Sequence, residues 1–153
     1  DEDRNLMMFP KMKDDPNFAK SVTDVWSGFL PNIPTFDTIK DAIPKIINFY
    51  KDHVDRFKAR GGQLIFVRHK AEEPWNKVTE RFLPRKHTWD AFIEAVDCPA
   101  YHFEDYDFMS KHYLPDWSHM YTDDAKVFTK DFVEQLTEDG LLKTRTSIED
   151  SDL

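Results

Sequence analysis

The feature that most constrains this chain is a change of hydrophobic period between residues 41 and 68. Ile43, Ile46, Ile47, Tyr50, Val54 and Phe57 fall at i, i+3, i+4, i+7, i+11 and i+14, the spacing of one helix face. Asp41 is placed to cap that helix, and Pro44 falls in its first turn, where a missing N–H costs nothing. Lys58 and Arg60 suit its C-terminal dipole, and Gly61 is set just past its end. After two glycines comes Gln63-Leu64-Ile65-Phe66-Val67-Arg68. A short continuous apolar run in that position reads as a strand buried on both faces, the kind that parallel sheets use. Ligands of such sheets sit beyond the carboxyl ends of the strands, here occupied by Arg68, His69 and Lys70.

The rest of the chain repeats the alternation. Thr88 is placed to cap a helix through Trp89, Phe92, Ile93 and Val96, which Cys98-Pro99 stops. Ala100 to Glu104 reads as a second, shorter strand. Past a loop rich in Asp, Tyr and Phe, Thr122 is placed to cap a last helix. Its buried face is Ala125, Phe128, Phe132, Val133 and Leu136, and Gly140 closes it. The order helix, strand, helix, strand, helix argues an α/β fold with a short parallel sheet flanked by helices. Sheets usually have about four to six strands. Either residues 1–36 hide another strand or the chain is half of something larger.

Three segments follow. Residues 1–36 form an N-terminal extension with a short helix. Asp15-Pro16 starts that helix, and Ala19, Val22, Val25, Trp26 and Phe29 mark the face that packs on the body. Residues 37–142 form the α/β domain. Residues 143–153 form a polar tail in which Glu149, Asp150 and Asp152 read as solvated charge. The loop from Ala71 to Lys86 is long for a connection and is expected to cover a pocket, with a helical turn from Trp75 to Phe82. There is no internal repeat and no low-complexity block.

Composition excludes some partners. A net charge of −8 with no Lys/Arg cluster among aromatics argues against nucleic acid. No apolar run approaches the roughly 18 to 20 residues that span a bilayer. Thirteen Phe and four Trp put the apolar content into large side chains, so an aromatic core is expected. The single Cys98 forms no intrachain disulfide and carries no reading of compartment, and Asp1-Glu2-Asp3-Arg4 is unlike a signal peptide.

The stretch with chemical content is Pro115-Asp116-Trp117-Ser118-His119-Met120. An Asp three residues before a His, on a turn that leads into a helix, sets a carboxylate beside an imidazole, as when a base is oriented for nucleophilic catalysis. The plainer reading is that Asp116 makes a turn and His119 packs near a helix start. Together with Gly61-Gly62-Gln63-Leu64-Ile65-Phe66-Val67-Arg68, a Pro-bearing loop, a helix and a strand, Asp116-Trp117-Ser118-His119 resembles the C-terminal half of an SGNH (GDSL-type) hydrolase over residues 41–140. The resemblance implies a three-layer flavodoxin-like sandwich, here partial, in an esterase, lipase or acyltransferase. It makes His119 the general base and Asp116 its partner. It implies an ester or acyl substrate, no cofactor, and an N-terminal half or second chain that completes the sheet. The family's Gly-Asp-Ser nucleophile block and its Gly-x-Asn-Asp block are absent here. None of Ser21, Ser27, Ser110, Ser118, Ser147 and Ser151 follows a buried strand on a tight glycine turn. The chain alone is therefore expected to be silent. The alternative is a non-enzymatic binding or structural module on a degenerate α/β scaffold.

Other constellations are weaker. His102, Glu104, Asp105, Asp107 and His112 are dense but lack metal-ligand spacing, so no metal site is expected. Cys98, before a proline, reads as a small buried hydrophobe. Arg68, His69 and Lys70 with Arg81, Arg85, Lys86 and His87 could gather an anion at the strand end, although a solvated loop is the simpler reading.

Overall fold

In the computed structural model, which describes residues 8–142, two short strands run parallel: β1 (Phe66–Arg68) and β2 (Ala100–His102). Phe66 pairs with Ala100, Val67 with Tyr101 and Arg68 with His102. Around them lie α1 (Lys11–Asp14), α2 (Pro16–Ser27), α3 (Ile43–Lys58), α4 (Trp75–Phe82), α5 (Trp89–Val96), α6 (Asp107–Ser110) and α7 (Thr122–Glu138). The molecule is mixed α/β and mostly helical, at 58%. Among the described residues of 1–36 there is no further strand. The polar tail lies outside the described residues.

Alternation of side chains divides the sheet into two faces. Phe66 meets Phe92 of α5 edge-on at 5.0 Å and His102 meets Trp89 at 5.5 Å, so this face lies under α5. Val67 and Tyr101 point the other way, into a core of Tyr101, Met109, Phe128 and Leu136 built with α6 and α7. The expected aromatic core is present only in part: among the described residues Tyr101 and Phe128 are buried, while Phe103, Tyr106, Phe108 and Phe132 pack half-buried against them. Tyr101 is bracketed by Tyr106 at 5.3 Å and Phe132 at 5.2 Å, and its hydroxyl donates to the Asp139 carboxylate. Burial, then that carboxylate, pushes the phenol up from its ordinary range.

Helix ends obey the sequence more faithfully than helix starts. Gly61 takes φ +81°, and Gly62 N–H to Phe57 O (3.1 Å) with Gly61 N–H to Lys58 O (2.9 Å) closes α3 in a Schellman motif. Gly140 at φ +73° closes α7 the same way. Asp15 caps α2 by accepting from Asn17 N and Phe18 N. Asp41 does not cap α3. That helix grows out of preceding turns in which Ala42 and Ile43 N–H already bond Ile39 O, so its first amides need no carboxylate. Thr122 is the first helical residue rather than a cap, and the Thr88 hydroxyl donates to Leu83 O and Pro84 O instead of accepting.

The strands are shorter than their apolar runs. Pairing needs a neighbour, and β2 offers three residues, so Gln63 to Ile65 stay outside the ladder. The expectation of a strand buried on both faces fails for the same reason, since β1 is only half-buried. On α3 only Ile43 and Val54 are buried, while Ile46, Tyr50 and Phe57 stay exposed. A two-stranded sheet is too narrow to cover a whole helix face. Val25 and Phe29 are likewise exposed, as is Val133 on α7, whereas Trp26 meets Trp75 of α4 edge-on at 6.2 Å. No helix of the described residues is long and apolar enough to cross a membrane.

Candidate functional site

The segment leaving β1 holds the Asp116 turn from two sides. Glu72 N–H donates to Trp117 O at 3.0 Å, and Glu72 Oε1 accepts from Leu114 N at 3.3 Å and from Lys70 Nζ at 2.7 Å. Lys70 Nζ also reaches His112 O at 3.1 Å. Pro115 and Leu114 are buried, which fixes the entry to the turn. Trp117 takes φ +72°, a left-handed conformation that costs a bulky residue energy and that the surrounding bonds impose. This places the turn at the carboxyl end of β1, where sheet ligands are expected.

Within the turn one carboxylate does most of the binding. Asp116 Oδ1 accepts from Ser118 N (3.0 Å) and His119 N (2.7 Å), while Oδ2 accepts from His119 Nδ1 at 2.8 Å. Burial works to raise the Asp116 carboxyl, but the Ser118 and His119 amides and the His119 ring outweigh it and hold it below the usual range. The side chain of Asp116 is 15% exposed and that of His119 72%. With Nδ1–H committed to Asp116, Nε2 is the nitrogen free to take a proton.

Ser118 is beside the base and on the wrong side of it. Its Oγ lies 2.9 Å from His119 Nδ1, the nitrogen already engaged by Asp116. The other described serines donate back into their own helices, Ser21 to Phe18 O, Ser27 to Thr23 O and Ser110 to Asp107 O. None meets Nε2.

The turn opens on a cleft of about 800 Å³. Its lining includes Asp116, Ser118 and His119 from the turn, His69 and Phe128, and an apolar wall of Phe9, Met12, Phe18 and Val22 from the N-terminal segment. Tyr121 Oη donates to Met12 O at 3.0 Å, tying that wall to the start of α7. His69 packs on Phe128 at 4.7 Å, and burial lowers its pKa. The motif alone revealed neither Glu72 nor the apolar wall. The one signal for the wall was the helical spacing of Ala19 and Val22, read as plain packing.

Of the remaining candidates, Arg68 and Arg85 line one cavity, and the others scatter. Arg85 binds Asp90 at 3.1 Å, Glu104 at 3.0 Å and Asp105 at 2.6 Å, which pushes its guanidinium up and the Asp105 carboxyl down, the Asp105 bond being the main cause of both. His112 faces Asp124 at 3.2 Å, so the acidic cluster around His102 divides among separate partners. Arg81 donates to Ile33 O at 3.0 Å and His87 stacks on Phe36 at 5.3 Å, away from Arg68. Cys98 is half-buried, with Sγ toward Val96 O. No family model, no curated protein and no solved structure matches this chain.

Proposed function

We propose that the chain carries the base half of a Ser-His-Asp triad on an SGNH-type ester hydrolase or acyltransferase scaffold. The observation that carries the reading is the Asp116–His119 pair, with a half-buried, multiply bonded carboxylate holding one ring nitrogen while the exposed ring lines a cleft at a strand end. His119 Nε2 takes the proton of a serine hydroxyl as its oxygen attacks an ester carbonyl carbon, then returns it to the departing alcohol. A water, deprotonated in turn, releases the acid. Asp116 is the positioning residue. The serine comes from an N-terminal half or second chain that also adds strands beside β1, completing a three-layer flavodoxin-like sandwich. Two features support the added strands. Parallel pairing leaves Val67 N–H and C=O facing away from β2, and an apolar groove of about 520 Å³ lies between α3 and Phe66.

A second reading, a non-enzymatic binding or structural module on a degenerate scaffold, is favoured by the lack of a described serine at Nε2. Without its nucleophile a triad loses most of its rate. Hydrolysis of p-nitrophenyl acetate separates the two. An exposed, oriented imidazole acts on an activated ester by itself, so the wild-type chain is expected to exceed the His119→Ala variant, and to exceed it by more than it exceeds His53→Ala, whose exposed ring faces a backbone carbonyl rather than a carboxylate. Equal rates for wild type and His119→Ala overturn the enzymatic reading for this chain.

A further inference from the structure

On the opposite face of the sheet from the cleft, the carboxyl ends of β1 and β2 open into a second cavity of about 220 Å³. Its walls include Arg68 and His102, which are register partners, with Asn76 and Glu80 of α4, Arg85, and Trp89 of α5. Donors outnumber acceptors here. Among the described residues the Arg68 guanidinium, the Asn76 amide and the Trp89 indole N–H make no hydrogen bond, whereas Arg85 is engaged by three carboxylates. The one lining carboxylate, Glu80, accepts from Arg85 N at 3.0 Å.

His102 adds a fixed donor. Its side chain is 5% exposed, and its Nδ1 accepts from Glu104 N at 3.3 Å, which puts the ring hydrogen of the neutral form on Nε2. Burial first, then the charge of Arg85, lowers its pKa, so the ring is neutral near pH 7 and that tautomer persists. Nε2 has no hydrogen-bond partner among the described residues. A nine-tenths-buried donor and an unpaired guanidinium at paired strand ends fit a ligand rich in acceptors. The volume lies below the roughly 300 to 1,000 Å³ of pockets that enclose whole drug-sized ligands, so a compact ion or the end group of a larger molecule fits.

We infer that this cavity is an oxyanion site, in which Arg68, assisted by His102 Nε2–H and Asn76, binds a small phosphate or carboxylate group. The site is independent of the Asp116–His119 cleft. It is tested by titrating the full chain with inorganic phosphate, and separately with malonate, at constant ionic strength held by chloride, while following the His102 ring resonances by NMR and the heat of binding.

Saturable shifts of His102 with one of the two anions are expected, and the tighter arm identifies phosphate or carboxylate as the preferred group. Arg68→Gln is expected to weaken binding about tenfold or more, as loss of a charged donor does, with its fold checked by circular dichroism. Asn76→Ala, which removes a neutral donor of the lining, gives a smaller loss and serves if Arg68→Gln misfolds. Lys126→Gln, the same charge change at an exposed site, and His119→Ala are expected to leave binding unchanged. Two outcomes overturn the inference: no saturable His102 shift with either anion, or equal weakening by Arg68→Gln and Lys126→Gln.

Discussion

Two histidine–carboxylate pairs flank the entry to α7, and their burial is reversed. In the Asp116–His119 pair the acid is 15% exposed and the ring 72%. In the His112–Asp124 pair the ring is 6% exposed and the acid 40%, at a longer 3.2 Å. Asp116 is held by two backbone amides as well as by its histidine, so its geometry survives when the ring changes protonation state. His112 is held by packing, including Phe128 at 6.4 Å, and its Nε2 is buried with no partner among the described residues. The same two groups thus leave the ring in solvent in one place and seal it inside the fold in the other.

The largest effect that would break this contrast belongs to Asp116. Asp116→Ala removes the acceptor of two amides and a ring and leaves Trp117 strained at φ +72°. Hydrogen bonds to a charged group are worth about 1.5 to 3 kcal/mol each, and a lost cap about 1 kcal/mol. A loss of roughly 2 to 3 kcal/mol in urea unfolding is expected, against about 1 kcal/mol for Asp124→Ala, where the half-exposed carboxylate gives water a way to His112 Nδ1. Asp116→Asn keeps an amide oxygen for the backbone and should fall between them. Acid sharpens the same point. A carboxyl held below its unfolded value of 3.8 contributes stability above that pH and loses it as pH falls through the lower folded value. The advantage of wild type over Asp116→Asn should therefore be full at pH 5 and shrink below about pH 3.8. Equal losses for Asp116→Ala and Asp124→Ala would erase the contrast.

The next effect has the opposite sign. Replacing His112 by Leu removes a buried nitrogen that has no partner, and such a group costs about 1 to 3 kcal/mol. The bond from Lys70 goes to the His112 backbone carbonyl and survives the change. His112→Leu is expected to gain about 1 kcal/mol in urea unfolding. A loss of that size would mean that Nε2 has a function the packing does not reveal.

The sequence made one of these pairs visible and hid the other for a physical reason. Asp116 and His119 are three residues apart on a single turn, so local geometry alone brings them together. His112 and Asp124 are twelve apart on either side of that turn, and only the docking of α7 joins them. The fold divides in the same way. The glycine closures at Gly61 and Gly140 and the helical faces could be read from spacing, because the forces are local. Strand length and helix burial could not, because each depends on how many neighbours the sheet has, and β1 has one. The cleft wall of Phe9, Met12, Phe18 and Val22 was hidden for that reason too. Periodicity shows that a helix has an apolar face, not what that face lines.

The smallest expected effect is the most discriminating. Substitution of an exposed side chain that bears no special backbone role usually changes stability by no more than about 0.5 kcal/mol. His119→Ala removes a ring that is mostly in solvent, and its backbone N–H, the shorter of the two amide bonds to Asp116 Oδ1, is untouched. The turn should keep its shape, and the urea midpoint should stay close to wild type. If it falls as far as in Asp116→Ala, the ring itself holds the turn together, and the carboxylate–imidazole bond is a structural fastening like the one at His112. If it stays, the energy of the pair resides in the acid, and the imidazole is left free to act on whatever enters the cleft.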